Sequence, residues 1–197
     1  IPQAVYDRLG QVAKEETRFV FCSPRLHEPL YNIDLILAAF KAINREFPQT
    51  ELWLLGDGSQ TENLKAFVKE RQLAKVKFWG RVSPAEAAER IAASRAMISI
   101  PNSDATPVSL LEAMAGGSLP ILADLPAYHD WVTDGKNGLL VEPRVDALVT
   151  AMRRSILDQD LRQQAAVSNR RQIGERAIWE REFQSMRAYY EAKLAEN

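Results

Sequence analysis

The chain has 197 residues, of which 46% are hydrophobic, enough for one substantial core in one or two domains. A net charge of −1 implies no basic surface, which disfavours a nucleic-acid partner. The single cysteine, Cys22, lies in an apolar run and excludes an internal disulfide. No signal peptide or apolar stretch of about 20 residues is present. We therefore expect a soluble, cytoplasmic protein; peripheral contact with the inner face of a membrane stays open.

Short apolar runs alternate with amphipathic segments along most of the chain. Most of the apolar runs are continuous, which is typical of strands covered on both faces. The predicted strands are 18–23, 51–55, 76–80, 96–100, 119–123 and 138–141. The predicted helices between them are 33–47, 61–73, 84–94, 107–115 and 127–133. This alternation predicts a doubly wound, Rossmann-like parallel α/β sheet of about six strands with helices on both faces.

From residue 146 onward the pattern is helical only, with candidates at 147–157, 160–174 and 179–195. No internal repeat or clear linker interrupts the chain. We predict one domain, with an α/β core over residues 1–145 and a helical extension over 146–197.

The loops that follow the strands are the candidate ligand sites, because open α/β sheets bind ligands outside the carboxyl ends of their strands. Arg25 follows the first strand, and its fork of donors suits phosphate oxygens. The alternative is a surface arginine paired with an acid such as Glu28. Gly56 and Gly58 follow the second strand and allow either a close approach to a ligand or an ordinary tight turn.

Arg81 and Val82 follow the third strand, where backbone groups could meet a base edge or simply precede a helix cap. The segment after the fourth strand is the most informative, because a helix opens there at Pro107. Asp104 precedes this helix and Glu112 lies inside it. A free helix N-terminus favours anions, so two carboxylates beside it indicate a phosphate-bearing ligand that also carries hydroxyls.

Other chemistry-bearing residues give weaker signals. Neither His27 nor His129 has a second histidine or cysteine at metal-ligand spacing, so no metal site is predicted and each is expected to be a surface or partly satisfied side chain. Ser109 lacks the glycines of a nucleophile elbow. The tryptophans are predicted to be core residues: Trp53, Trp79, Trp131 and Trp179.

In order and spacing these motifs resemble the C-terminal, nucleotide-sugar-binding domain of a GT-B glycosyltransferase, similar to retaining glycosyltransferase family 4. The resemblance covers nearly the whole chain, through 54–58, 76–80, 112–117, 119–122 and 134–143. The family's two acids, separated by seven residues, match Asp104 and Glu112, with aspartate in place of the usual first glutamate. By resemblance, Glu112 would bind ribose hydroxyls and Asp104 would lie near the donor sugar. Backbone groups around Thr106, Pro107 and Val108 would meet the diphosphate.

The chain departs from the family pattern in two respects. The family usually has an arginine and, six residues later, a lysine on the diphosphate; Arg25 matches, but position 31 is Tyr31. Lys136, or a cation from another domain, is a candidate replacement. A GT-B enzyme also has an N-terminal acceptor domain, which we expect to be missing from this chain. The helix at 179–195 resembles the family's terminal helix, and its apolar stripe is expected to be partly exposed.

The resemblance implies the donor-binding half of a retaining glycosyltransferase, which moves a sugar from a UDP or GDP sugar to a glycan or lipid-linked acceptor. The candidate catalytic residues are Arg25, Asp104 and Glu112; no metal or other cofactor is implied, and little activity is expected of the chain alone. An alternative is a sugar-nucleotide epimerase or a glycogen-synthase-like enzyme with the same fold. A third is a non-catalytic binding module.

Overall fold

The computed structural model describes residues 1–195, and it contains one parallel sheet. Its strands are β1 (Phe19–Ser23), β2 (Thr50–Leu55), β3 (Val76–Gly80), β4 (Ala96–Ser99), β5 (Leu119–Ala123) and β6 (Leu139–Val141). They are ordered β3-β2-β1-β4-β5-β6, and each neighbouring pair is parallel. This confirms the predicted Rossmann-like sheet. The order reverses between β1 and β4, which makes the carboxyl ends of these two strands the topological switch point.

Helices cover both faces of the sheet. They are α1 (Gln3–Leu9), α2 (Ile33–Glu46), α3 (Thr61–Glu70), α4 (Pro84–Ala93), α5 (Val108–Ala115), α6 (Pro126–His129), α7 (Val145–Leu157), α8 (Gln159–Arg176) and α9 (Trp179–Ala195). Helix α2 packs against α3 and α7, whereas α5 packs against α1, α4 and α8. The late helices α7 and α8 thus each cover part of the sheet, α7 through β5 and β6 and α8 through β5.

The core is continuous from the sheet to the helices. The side chains of Val20, Phe21 and Cys22 on β1 are fully buried, as expected for a strand with helices on both sides. Burial also raises the pKa of the Cys22 thiol far above its ordinary value. The apolar face of α2 is buried against the sheet through Ile36 and Phe40, among others. The predicted buried cysteine is therefore confirmed.

Several helix boundaries differ from the prediction by one to four residues, and two of these differences have a clear local cause. The helix with the second acid begins at Val108, because Pro107 has extended backbone angles and is the N-cap. Helix α6 ends at His129 and not at residue 133. The Asn137 side-chain amide donates to the Trp131 carbonyl at 2.9 Å, and its oxygen accepts the N–H of Thr133 at 2.7 Å. These bonds hold 130–137 as an irregular loop instead of further helical turns.

The segment at the N-terminus contains a helix that the periodicity did not predict. Helix α1 has only seven residues, and Pro2 at its N-cap provides no side-chain bond to the first turn. Its fully buried Leu9 packs into the core, so tertiary contact stabilises a segment with weak local signals.

The C-terminal helix α9 places large apolar side chains in solvent. The exposed residues are Trp179, Phe183, Met186, Tyr189, Tyr190 and Leu194. The expected exposure of this stripe is confirmed, but the assignment of Trp179 to the core is wrong: 53% of Trp179 is exposed. Trp53 is buried, and Trp79 and Trp131 are half-buried.

No helix within residues 1–195 combines the length and the apolarity that a bilayer span requires.

The loops at the switch point are bonded to each other. Asn32 has a left-handed backbone (φ +52°), and its side-chain Nδ2 donates to the Ile100 carbonyl and to Asn102 Oδ1, each at 2.8 Å. The N–H of Asn102 in turn donates to the Leu30 carbonyl at 2.9 Å. The β1 and β4 loops are therefore fixed relative to each other before any ligand binds.

Gly58 allows the loop after β2 to approach the loop after β1. A Cβ atom at this position would lie 2.5 Å from the backbone oxygen of His27, a separation that requires the backbone to move. We predict that Gly58→Ala lowers the free energy of unfolding by about 1–3 kcal/mol. Lys69→Ala, on the exposed side of α3, is the control in urea denaturation. Equal stabilities of the two variants would contradict the close packing of these loops.

Candidate functional site at the switch point

An ion pair joins the loop after β1 to the loop after β4. Arg25 is 9% exposed, and its Nη2 donates to Asp104 Oδ2 at 2.5 Å. The alternative pairing of Arg25 with Glu28 is wrong, because the Glu28 carboxylate accepts the backbone N–H and the hydroxyl of Ser59 instead. Two residues that are 79 positions apart in sequence meet because β1 and β4 are neighbours in the sheet.

Most of the donors of Arg25 remain available. Its Nη2 bond to Asp104 is its one side-chain hydrogen bond within residues 1–195, although a guanidinium has five N–H groups. The Nε atom of Arg25 is buried and has no partner in that part of the chain. A buried unpaired donor is costly. The arrangement therefore favours a ligand that supplies acceptor oxygens.

Tyr31 occupies the position of the family's lysine and contacts the same arginine. The Arg25 guanidinium carbon lies 4.5 Å from the centroid of the Tyr31 ring, a cation–π geometry. Tyr31 ends a short 3-10 turn, Pro29–Tyr31. The second cation of the family pattern is thus replaced by a side chain that holds the first one.

Tyr128 is a site residue that the sequence did not reveal. It lies on α6, is fully buried, and its hydroxyl donates to Asp104 Oδ2 at 2.7 Å. Burial and the neighbouring Asp104 carboxylate raise the pKa of Tyr128 well above its ordinary value. Tyr128 is therefore a permanent hydrogen-bond donor at neutral pH. Its position directly after β5, the neighbour of β4, was the available signal.

The N-terminus of α5 is open next to this pair. The N–H groups of Thr106, Val108 and Ser109 have no acceptor in the described part of the chain, and Pro107 has no N–H and offers no side-chain cap. The Thr106 hydroxyl is turned away and donates to the Ala127 carbonyl at 3.3 Å. Free amides at a helix N-terminus attract anions, so anion binding by this segment stays a prediction.

Glu112 lies on α5 apart from the Arg25–Asp104 pair. Its side chain makes no hydrogen bond with residues 1–195, and the charges that act on it are the Ile1 ammonium and Arg8, both from the N-terminal segment. Desolvation by burial raises the pKa of Glu112 to about 7, against the lowering effect of those two cations. The two acids of the motif therefore have different surroundings: Asp104 accepts three hydrogen bonds from the protein, and Glu112 accepts none within residues 1–195.

A cavity of about 700 Å³ opens at the ends of β2 and β3. Its lining includes His27, Gly56, Gly58, Thr61, Phe78 and Arg81. Neither acid of the motif lines it, so it lies beside the ion pair and is not centred on it. Arg81 is well exposed, and its Nε donates to Asp57 Oδ1 at 2.7 Å; Val82 follows it and is half-buried.

The two predicted glycines of this loop have different constraints. Gly56 has a positive φ of +95°, a backbone angle that residues with a side chain rarely adopt. A Cβ at Gly58 would meet the backbone of His27. The backbone of this glycine loop therefore lies close to the loop after β1. Both glycines also line the cavity.

The histidines fit the expectation of surface or partly satisfied side chains. Thr61 Oγ1 accepts the N–H of Gly58 and lies 2.9 Å from His27 Nδ1, within hydrogen-bond distance. Burial lowers the pKa of His27, and its Nε2 has no partner among residues 1–195. His129 is exposed, with Nε2 2.6 Å from Asp124 Oδ1.

Lys136 is not placed to act as the second cation. It precedes β6, which begins at Leu139, and therefore lies at the amino edge of the parallel sheet, opposite the Arg25 cluster. Residues 1–195 also contain no group of three His, Cys, Asp or Glu side chains arranged to hold a metal ion.

The fold and the site define a Rossmann-like α/β domain with a candidate phosphate-binding edge at its switch point. The family described as glycosyl transferases group 1 matches residues 8–172, and the chain belongs to this family. No curated protein matches the sequence.

Solved structures show the same fold. The pneumococcal O-GlcNAc transferase GtfA in complex with UDP and GlcNAc has a TM-score of 0.80 at 16% identity, over 94% of this chain and 37% of that one. HepE of Anabaena in complex with UDP-glucose has a TM-score of 0.78 at 20% identity, over 98% of this chain and 54% of that one. Sucrose-phosphate synthase from Thermosynechococcus elongatus has a TM-score of 0.78 at 22% identity, over 100% of this chain and 50% of that one. The chain thus spans between 37% and 54% of these proteins, consistent with one half of a GT-B fold.

Glu112 is expected to make stability depend on pH. Because its pKa is raised from 4.5 to about 7 in the folded state, that state keeps a proton between these values that the unfolded chain loses. This contribution to stability is fully present below pH 4.5 and is lost as the pH rises through 7. We predict that Glu112→Gln flattens the fall in unfolding free energy across that window, measured by urea denaturation at several pH values. Glu70→Gln, at an exposed position on α3, is the control; parallel curves for all three proteins would refute the prediction.

Proposed function

We propose that this chain is the donor-binding domain of a retaining glycosyltransferase, which transfers a sugar from a nucleoside diphosphate sugar to an acceptor. The observation that carries the proposal is the buried Arg25, whose Nε has no partner within residues 1–195, beside the open N-terminus of α5. Together they offer several N–H donors to one diphosphate at the switch point. Membership of the group 1 family supports sugar transfer as the chemistry.

The arrangement suits electrostatic stabilisation of a leaving diphosphate. As the bond to the sugar breaks, negative charge grows on the phosphate oxygens, and fixed donors that strengthen with this charge lower the barrier. Arg25 and the amides of Thr106 and Val108 would supply these donors. The family is commonly assigned a front-face route with retention, so no protein nucleophile and no metal are invoked.

The nucleoside would extend from the diphosphate along the strand ends. Glu112 would accept the ribose hydroxyls, which suits a carboxyl group that makes no hydrogen bond within residues 1–195. The backbone at Arg81 and Val82, beside Gly56 and Gly58, would meet the base. HepE and GtfA were solved with UDP or a UDP sugar, which makes UDP the first nucleotide to test and GDP the second.

The acceptor would bind opposite this edge, against an N-terminal domain of the GT-B type. A glycan or lipid-linked saccharide is the acceptor class that we propose, at a cytoplasmic site or at the inner face of a membrane. That domain could also supply the cation that Tyr31 replaces.

The donor site can be tested by calorimetric titration of the chain with UDP and GDP. We predict that one of them binds, and that Arg25→Ala and Glu112→Ala each weaken binding by about tenfold or more, the loss of one charge-assisted contact. Glu70→Ala, at the far end of α3, is the matched control and should bind as the wild type does. Equal affinities of all four proteins would exclude this site.

The chain alone is expected to transfer little or no sugar, because the acceptor and the second half of the cleft would come from the other domain. The measurement is turnover of radiolabelled UDP-glucose and GDP-mannose with added saccharide acceptors. Robust transfer by the 197-residue chain would overturn this part of the proposal.

A non-catalytic binding module is the second candidate function. It is favoured by one observation: Arg25 is already paired with Asp104, so less of its charge is available to stabilise a leaving group. Nucleotide binding that disappears in Arg25→Ala would argue against a site that has lost its function. Sugar transfer by the full-length protein would dispose of the candidate.

A further inference from the structure

The Asp104 carboxylate already accepts three hydrogen bonds from the protein itself. Its Oδ2 accepts from both Arg25 (2.5 Å) and the Tyr128 hydroxyl (2.7 Å). Its Oδ1 accepts the N–H of Ala105 at 3.0 Å. Donors from the loops after β1 and β4 and from α6 thus converge on one side chain. About one acceptor position, on Oδ1, is left for a hydroxyl group of a sugar.

Arg25 is also held in place, although most of its donors stay unpaired within residues 1–195. Asp104 lies against its Nη2 and the Tyr31 ring lies against its guanidinium plane. Because Arg25 is 9% exposed and the Asp104 side chain 18% exposed, solvent screens their interaction only weakly. Asp104 therefore offsets much of the positive charge that Arg25 would present to a third charge in the site.

We propose that Asp104, held by Tyr128, acts as the fixed counter-ion of Arg25 and not as a ligand of the donor sugar. Asp104 and Tyr128 are then positioning residues, which set how much of the charge of Arg25 reaches a bound diphosphate. The proposal rests on the proposed donor site, since it concerns the ligand that Arg25 would bind there.

The two roles of Asp104 predict different results with UDP, which has the diphosphate but no sugar. A counter-ion that competes with the diphosphate weakens UDP binding, so Asp104→Asn, which keeps an acceptor oxygen and removes the charge, should bind UDP about fivefold more tightly. A sugar ligand would leave UDP binding unchanged. Asp124→Asn removes an exposed charge from the loop after β5, at the same edge of the sheet, and is the matched control; it should leave the affinity within about twofold.

Tyr128→Phe should have the opposite effect. The Tyr128 hydroxyl partly neutralises Asp104, because a hydrogen-bond donor points its positive end at the carboxylate. Without it, Asp104 repels the diphosphate more strongly, and UDP affinity should fall. In the Asp104→Asn background the same substitution should have little effect, because the charge is gone. A merely structural role for Tyr128 would weaken binding equally in both backgrounds.

The outcomes separate the counter-ion role from the donor site itself. Unchanged or weaker UDP binding by Asp104→Asn would overturn the counter-ion role while the donor site stands. Absence of UDP and GDP binding by the wild type and by Asp104→Asn would remove the donor site. In that case a double-mutant cycle of unfolding with Arg25→Met and Asp104→Asn, which needs no nucleotide, decides the counter-ion role. Non-additive unfolding free energies support the pair, and additive values overturn it.

Discussion

The contact between Arg25 and Asp104 is the interaction on which the candidate site depends. It joins the two loops at which the strand order of the sheet reverses, and it neutralises the positive charge of Arg25, which would otherwise be buried without a partner. Removing one partner of such a pair costs about 3–5 kcal/mol, because the other charge is left buried and unpaired. The same constraint makes the arginine a good anion ligand, since its position is fixed before the ligand arrives.

The loops around this pair are fixed by backbone constraints that a ligand does not have to supply. Asn32 uses a left-handed backbone to bring its amide to the β4 loop. Gly56 and Gly58 bring the β2 loop against the β1 loop. Each contact orders a surface loop that would otherwise be mobile. Fixing the backbone of one residue costs about 1–2 kcal/mol of conformational entropy. The strand ends therefore present a preformed edge, as electrostatic stabilisation of a leaving group requires.

The sequence could predict which loops form the site but not how their side chains pair. Continuous apolar runs and helix signals were sufficient for the strand count and the parallel sheet, and hence for placing Arg25 and Asp104 at the same edge. Their pairing was not predictable, because Glu28 is far closer to Arg25 in sequence. Asp104 is the partner because β4 lies next to β1 in the sheet. Tyr128 was missed because the contact of its hydroxyl with Asp104 depends on how α6 packs beside the loop after β4, which no local sequence pattern shows. Trp179 was assigned to the core because apolar spacing alone cannot show whether a helix has a partner.

The two departures from the family pattern, Tyr31 and Asp104, converge on Arg25. A lysine at position 31 would add a second positive charge beside Arg25, and a longer glutamate at 104 would reach beyond it. Here an aromatic ring covers the guanidinium, and a shorter acid is held against it by Tyr128. Tyrosine in place of lysine removes one positive charge near the expected diphosphate. Aspartate has the same charge as glutamate but is held directly against Arg25, so both features weaken the positive field there. A site of this kind would rely more on the N–H groups at the start of α5, whose partial charges do not depend on any side chain.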